Sequence, residues 1–429
     1  MCKEEEGIKT MSSAAESAAE GEERHNPAEE GAVEVERKPT SVTTDAVKYE
    51  EKPDLGQRAE EDGADKAALS VTDLAAAAGS GRTESEATAG AAREGLTPLK
   101  VGKLDSDVLQ EIVLDRIAYR RSEVKTRAGV GEDCAVIDFG AYDCVISTDP
   151  ITAAVSEIGR LAIHISCNDI ASNGIEPLGI TLAVMLPVGT TASDVALIME
   201  QAGEAAAAAG VEIIGGHTEV TPAVNQPVIV STAFGRAVSG SCQSAEDMRS
   251  GDYVLLTKWA GLEGTGIIAE DYEEELSGVL TADELAEAKS LLNDVSVVKE
   301  GVAAGRIGTG GMHDVTEGGI LGAVWEMCHI AGLGVELWEE AVPVHDVTLK
   351  IAAHFDINPL RLISSGCMMI MAAPEKKEAL LEAITGAGVP VCCIGQICAK
   401  EAGLTLVRCG GQREEITPPE PDELYKVVK

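Results

Sequence analysis

The sequence predicts a layered protein of mixed α/β (α+β) class built as two consecutive domains, and three observations predict it. From Leu96 onward, short β-branched runs alternate with apolar residues at helical spacing, separated by glycine-rich turns. A polar, small-residue stretch at 239–251 interrupts this texture near its middle. The first 95 residues lack it: Ala, Glu, Gly, Ser and Thr dominate, Tyr49 is the only Phe, Trp or Tyr, and no apolar run is sustained. Such a segment cannot bury enough surface to offset its ordering entropy. Residues 1–95 therefore read as a disordered acidic extension, 96–240 as a first domain and 241–429 as a second.

The elements follow in order. Residues 105–119 place Val108, Leu109, Ile112, Val113 and Ile117 at helical spacing. Runs at 134–139 and 143–148 read as strands, joined by a hairpin at Gly140-Ala141-Tyr142. Residues 154–173 read as a helix and 180–186 as a strand, and 193–209 as an Ala-rich helix with Ser193 as N-cap and Gly210 as stop. Strands are expected at 211–214 and 228–234. The second half opens with a strand at 253–258, then helices at 283–292, 296–305 and 318–331, and strands at 367–372 and 391–397.

Composition excludes several functions. A net charge of −38 argues against nucleic acid or an anionic membrane surface as a non-specific partner. It leaves room for ATP, provided Mg²⁺ neutralises phosphate between carboxylates. No apolar run is long enough to span a bilayer and residues 1–21 hold no hydrophobic signal core, so a cytoplasmic protein is expected. The 11 cysteines form no C-x-x-C pair and the 7 histidines show no ligand spacing, so reduced cysteines and no zinc are expected. P-loop, G-x-G-x-x-G and G-x-S-x-G signatures are missing, so any nucleotide needs another cradle.

Five motifs have the composition of a site. Gly129-Val130-Gly131-Glu132-Asp133 presents a carboxylate at a strand start beside glycines that let backbone amides approach an anion. A plain acidic surface turn has the same composition. Ser147-Thr148-Asp149-Pro150 reads as a strand end that leaves Asp149 at the sheet rim, and equally as a turn-initiating Asp before Pro. The helix at 154–173 is apolar on two faces, so Asn168 and Asp169 are desolvated and need metal, ligand or backbone as partners. Gly215-Gly216-His217-Thr218-Glu219 reads as a glycine turn with His217 or Glu219 as metal or phosphate contacts, or as a hairpin without function. Gly310-Gly311-Met312-His313-Asp314-Val315-Thr316-Glu317-Gly318-Gly319 leads into a helix whose start suits phosphate, with Thr316 as a possible N-cap.

In this order the stretches GVGEDCAVIDF, STDPI, NDIASNGIEPLGI, GGHTEV, MHDVTEGGILGAVWEM and NPLRLISSGCMMI resemble the AIR synthase-related (PurM-like) superfamily, closest to its HypE-like branch. The resemblance covers residues 96–407. It implies an N-terminal ATP-binding domain, a C-terminal α/β domain, and a homodimer whose N-terminal sheets form a barrel and help to make the ATP cleft. It also implies Mg²⁺ held against the triphosphate by Asp133, Asp149 and Asp169, with Asn168 beside them and Gly131, Gly215, Gly216, His217 and Thr218 lining the site. Relatives often carry an acidic residue where His217 stands. Asp314 and Thr316 are the candidates for the acceptor side, and phosphoryl transfer to a small carbonyl or amide acceptor is the implied chemistry. HypE proteins carry a C-terminal cysteine that is carbamoylated and dehydrated; this chain ends Tyr425-Lys426-Val427-Val428-Lys429, its last cysteine being Cys409. Hydrogenase maturation with a partner protein would here proceed without that cysteine, and a non-catalytic nucleotide-binding regulator is the remaining alternative.

Overall fold

A computed structural model of the chain describes residues 102–152 and 155–428. The expected disordered extension at 1–95 lies outside the described residues. The first elements are α1 (Ser106–Ile112), β1 (Val124–Thr126), β2 (Ala135–Asp138), β3 (Tyr142–Ile151), α2 (Ile158–Ser172), β4 (Pro177–Leu186), α3 (Ala192–Ala209), β5 (Glu212–Val220) and β6 (Val228–Val238). Their strands form one sheet in the order β1-β2-β3-β6-β4-β5, in which only β4 and β5 run parallel. Alternate residues of β3, β4 and β6, among them Val145, Leu182, Val184, Ile229 and Ala233, face α2 and α3 and form one core. Gly235 is required there, because a Cβ on it would lie 2.6 Å from Ile170 Cγ2 of α2.

The remaining elements are β7 (Tyr253–Thr257), α4 (Leu262–Asp271), α5 (Glu273–Leu276), α6 (Ala282–Ser290), α7 (Val298–Ile307), β8 (Met312–Asp314), α8 (Gly319–Ala331), β9 (Gly334–Trp338), α9 (Asp346–Phe355), β10 (Met368–Ala372), α10 (Lys377–Gly386), β11 (Val391–Cys398), β12 (Leu404–Val407) and β13 (Arg413–Glu415). These strands form a second, mixed sheet in the order β13-β12-β9-β11-β7-β10-β8. It is apolar on both faces, as a sheet between two helical layers must be. Met369 and Met371 point into the core of α4, α8 and α9, while Met368 and Ile370 point into that of α7 and α10.

Helix α2 joins the halves. Its Leu161 belongs to the core under α4 and α8, and its Ala171 to that under α7, which explains the two apolar faces legible in its sequence. Contact with α7 is close enough that a Cβ on Gly301 would sit 2.5 Å from the Ala171 carbonyl oxygen.

Several local expectations are corrected. The 105–119 helix is short: a 3-10 turn at Leu114–Arg116 follows α1, and Ile117 and Tyr119 stay 47% and 82% exposed because no described residue covers that face. The cap of α3 is Thr191, whose hydroxyl accepts from Asp194 N in a capping box, and not Ser193. Strand β3 continues through Pro150 to Ile151; past Ile146 it has β6 as its single neighbour, where a proline is tolerated. Gly215-Gly216 is no turn, since β5 runs on to Val220. Among the described residues there is no disulfide, and no helix is long and apolar enough to cross a membrane.

Candidate active site

Four carboxylates converge where β3, α2, β8 and the loop before β2 meet. Gly131, with φ +79°, lets the 129–133 loop turn against α8, so closely that a Cβ there would lie 2.8 Å from Ile330 Cδ1. That turn delivers Asp133 to the site. Ser147 and Asp149 share one face of β3 by the two-residue period of a strand. The Ser147 hydroxyl donates to Asp169 Oδ2 of α2 at 2.5 Å and lies 3.4 Å from Asp149 Oδ2, so one hydroxyl ties two of the acids together. The Ser172 hydroxyl lies 3.5 Å from Asp133 Oδ2. From the second sheet β8 contributes His313 and Asp314, and α8 contributes Glu326.

Electrostatics follow from this crowding. Burial, then the charges of Asp314 and Asp149, push the Asp169 carboxyl well above the usual range. Burial raises Asp133 against the opposing effect of His313, and burial with the Asp133 charge brings Asp314 to about 7. Glu132 rises to about 7 for the same two reasons. Burial would depress His313, yet Asp133 and a bond to Glu326 outweigh it and carry the imidazole to about 10. Lys103 is an exposed residue beside this cluster; desolvation lowers its ammonium pKa, but Glu326, Glu317, Asp133 and Asp314 together raise it. Neither oxygen of Asp314, which is 1% exposed, has a hydrogen-bond partner. Clustered, desolvated oxygen donors with an orphaned carboxylate among them fit a divalent cation.

Of the residues singled out in the sequence, Asp133, Asp149, Asp169 and Asp314 meet here, with Gly131 in the adjoining loop. Others do not join them. Asn168 is fully buried, but its amide donates to the Val295 carbonyl at 2.8 Å and accepts from Val297 N at 2.9 Å, clamping α2 to the segment before α7. Gly215, Gly216, His217 and Thr218 lie on β5 at the sheet edge, separated from β3 by β6 and β4. There His217 is 70% exposed and has Glu219 Oε2 at 3.4 Å. Gly216 is needed for strand packing: a Cβ would lie 1.9 Å from the Leu182 carbonyl oxygen of β4.

Thr316 is half-buried and not the cap of α8, which is Gly318 in a left-handed conformation. Beside this helix start, where a phosphate cradle is expected, lies an acid of the chain itself. The Asp422 carboxylate accepts from Gly318 N at 2.7 Å, Leu424 N at 2.8 Å and Ile363 N at 3.1 Å. Sequence reasoning missed Ser147, His313, Glu326 and Lys103 as members of the site. His313 had a signal, adjacency to Asp314 on a strand start; Lys103 had none.

Two cavities lie nearby, the first bordering the 129–133 loop and the second touching only its flanks at Ala128 and Ala135. The first, of about 20 Å³, is bounded by Glu132, Asp133, Ser172 and His313. The other, about 640 Å³, is walled by Leu114, Ile117, Tyr119, Arg120 and Arg127 and holds none of the four converging acids.

Comparison with known proteins agrees with this architecture. Residues 131–237 match the profile of the N-terminal domain of AIR synthase related proteins, and residues 249–406 that of the C-terminal domain. The carbamoyl dehydratase HypE of Bradyrhizobium diazoefficiens is 31% identical over 261 residues, spanning 59% of this chain and 73% of that protein. Among solved structures, that of a HypE–HypF complex superposes with a TM-score of 0.62 at 22% identity, covering 73% of this chain and 99% of that one. The hydrogenase maturation protein HypE in complex with ATP gives 0.58 at 21% identity, covering 76% and 98%. Two sheets with flanking helices, an acid cluster where they meet, and these matches define a two-domain enzyme of PurM-like fold. The chain belongs to the AIR synthase-related family, in its HypE-like branch.

Proposed function

We propose that the chain is an ATP- and Mg²⁺-dependent enzyme that activates a small carbonyl, amide or related acceptor by phosphoryl transfer. The observation that carries this reading is the convergence of Asp133, Asp149 and Asp169, the last two joined through Ser147 and the first beside Ser172, at a crowded and largely desolvated point. These three carboxylates would hold Mg²⁺, which when bound offsets the charge of the triphosphate. The chain's own part is to keep them fixed and dry, so that positioning supplies most of the catalysis. The ATP complex of a HypE of the same fold supports the nucleotide. Asp314 is the acceptor-side residue of this reading, and Thr316 stands two residues beyond it.

A homodimer belongs to the same proposal. What supports it is β5, an edge strand exposed along most of its length, with Ile214 56% and Val220 55% exposed. Pairing with a second copy would cover this edge and bring residues 215–218 to a shared cleft, which is the role in nucleotide binding left for His217 and Thr218. A cytoplasmic location is part of the reading.

Similarity to HypE favours a second reading, a maturation factor whose acceptor is a thiol of a partner protein. Mass spectrometry with partner and carbamoyl donor separates the two: absence of any ATP-dependent loss of water removes the maturation role. A regulator without turnover has no use for four converging acids. Release of ADP or phosphate in a screen of small acceptors tests the leading reading. Turnover that appears with an acceptor and vanishes in Asp149→Asn supports it; unchanged nucleotide affinity in that variant takes Asp149 out of the site.

A further inference from the structure

Beside the proposed magnesium cluster lies a donor set of different chemistry. Asp133, His313 and Asp314 each offer one ligand atom, and these atoms lie within 4.8 Å of one another. We propose that they form a second cation site, selective for a divalent transition ion of the manganese-to-zinc series, with Asp133 shared between the two sites. Only that sharing rests on the proposed function; the site itself stands on the geometry below.

The imidazole is already set for ligation. His313 Nδ1 lies 2.6 Å from the carbonyl oxygen of Asp314. A carbonyl can only accept, so Nδ1 carries the hydrogen and Nε2 is the atom left for a cation. Holding the ring through Nδ1–H and a backbone carbonyl is how metal-binding histidines are oriented. Nε2 in turn faces Glu326 Oε2 at 3.2 Å and Asp133 Oδ1 at 3.8 Å. A nitrogen lone pair among carboxylates needs a positive charge at that point, whether a proton or a metal ion.

An independent observation points to a ligand. Asp314 is 1% exposed and neither of its oxygens has a hydrogen-bond partner. A buried carboxylate with both oxygens unpaired lacks the partner that native interiors supply. An adjoining cavity of about 20 Å³, lined by Asp133, His313 and Ser172 though not by Asp314, has room for one ion or one water beside two of the three donors. Donor chemistry then selects the ion. Oxygen donors alone, as at Asp149 and Asp169, suit Mg²⁺, whereas one imidazole with two carboxylates shifts preference toward transition ions.

The test uses Mn²⁺ alone with the nucleotide-free, full-length protein. Pulsed electron paramagnetic resonance reads the coupling of a directly bound imidazole nitrogen to the manganese electron spin. The wild type is expected to show that coupling, and His313→Gln to lose it together with at least about tenfold in Mn²⁺ affinity. Asp314→Asn, close in shape, is expected to weaken Mn²⁺ binding while leaving Nδ1–H on its carbonyl. A wild type without nitrogen coupling, or a His313→Gln variant that binds Mn²⁺ as tightly and with the same coupling, overturns the proposal. Asp169→Asn separates the two claims: a retained nitrogen signal with weakened Mg·ATP binding supports both. A retained signal with unchanged Mg·ATP binding leaves the second site standing and removes the nucleotide reading.

Discussion

Replacing Asn168 with alanine tests whether this residue is a clamp between the halves or a nucleotide ligand. Its amide satisfies two backbone groups, the Val295 carbonyl and the Val297 N–H, and both valines are fully buried. Bulk solvent does not reach these positions, so each orphaned group costs about 1–3 kcal/mol. The two together, with the small cavity left behind, predict a loss of about 4 kcal/mol. For a folded region of this size that corresponds to a fall in Tm on the order of 10 °C. Calorimetry or urea denaturation measures the stability, and titration calorimetry at a temperature where the variant is folded measures Mg·ATP affinity. A stability change below about 1 kcal/mol coupled with lost nucleotide binding would refute the clamp and return Asn168 to the nucleotide pocket.

In a metal chelator, stability should fall as pH rises from about 5 to about 8. Asp314 and Glu132 at about 7, Glu263 at about 7 and Asp422 at about 6 hold protons that the unfolded chain releases near pH 4, and His313 at about 10 acts with the same sign. Adding Mg²⁺ should flatten that slope by favouring the charged acids, and a chelated Tm that climbs over this range would contradict the electrostatics. Gly216→Val should cost about 3 kcal/mol or more because its Cβ would meet the Leu182 carbonyl oxygen at 1.9 Å, whereas Gly203→Ala in α3, with nothing within 4 Å, should stabilise by up to about 1 kcal/mol. Equal Tm values for the two variants would count against the placement of β5. Asp422→Ala leaves the N–H groups of Gly318, Ile363 and Leu424 without their acceptor and should lower stability by about 3 kcal/mol or more, with Asp422→Asn closer to wild type on urea denaturation.

Features set by local chemistry were legible in the sequence. The hairpin at Gly140 forms with φ +85°, and α3 stops at Gly210 in the left-handed region, because such turns need only the glycine itself. The double apolar face of α2 announced a buried helix, whose Asp169 lies with Asp149 of β3 around the Ser147 hydroxyl. What failed depended on partners far along the chain. Asn168 was recognisable as a buried amide in need of partners, but these came from 295–297, more than a hundred residues away, and no local pattern names them. Gly215-Gly216 read as a turn because glycine marks turns; the actual requirement comes from the backbone of the neighbouring β4. Residues 105–119 carried a helical stripe with no described surface to cover, so periodicity alone overextended the helix. Glu326 joins the site by lying on the face of α8 turned to His313, a contact set by how α8 packs beside β8.

The most direct test of the central claim is a crystal structure of the protein with Mn²⁺ and a non-hydrolysable ATP analogue, with the ion located by anomalous scattering. The account predicts an ion bridging the triphosphate to Asp133, Asp149 and Asp169. Triphosphate and ion bound elsewhere, with these three carboxylates touching neither, would contradict it.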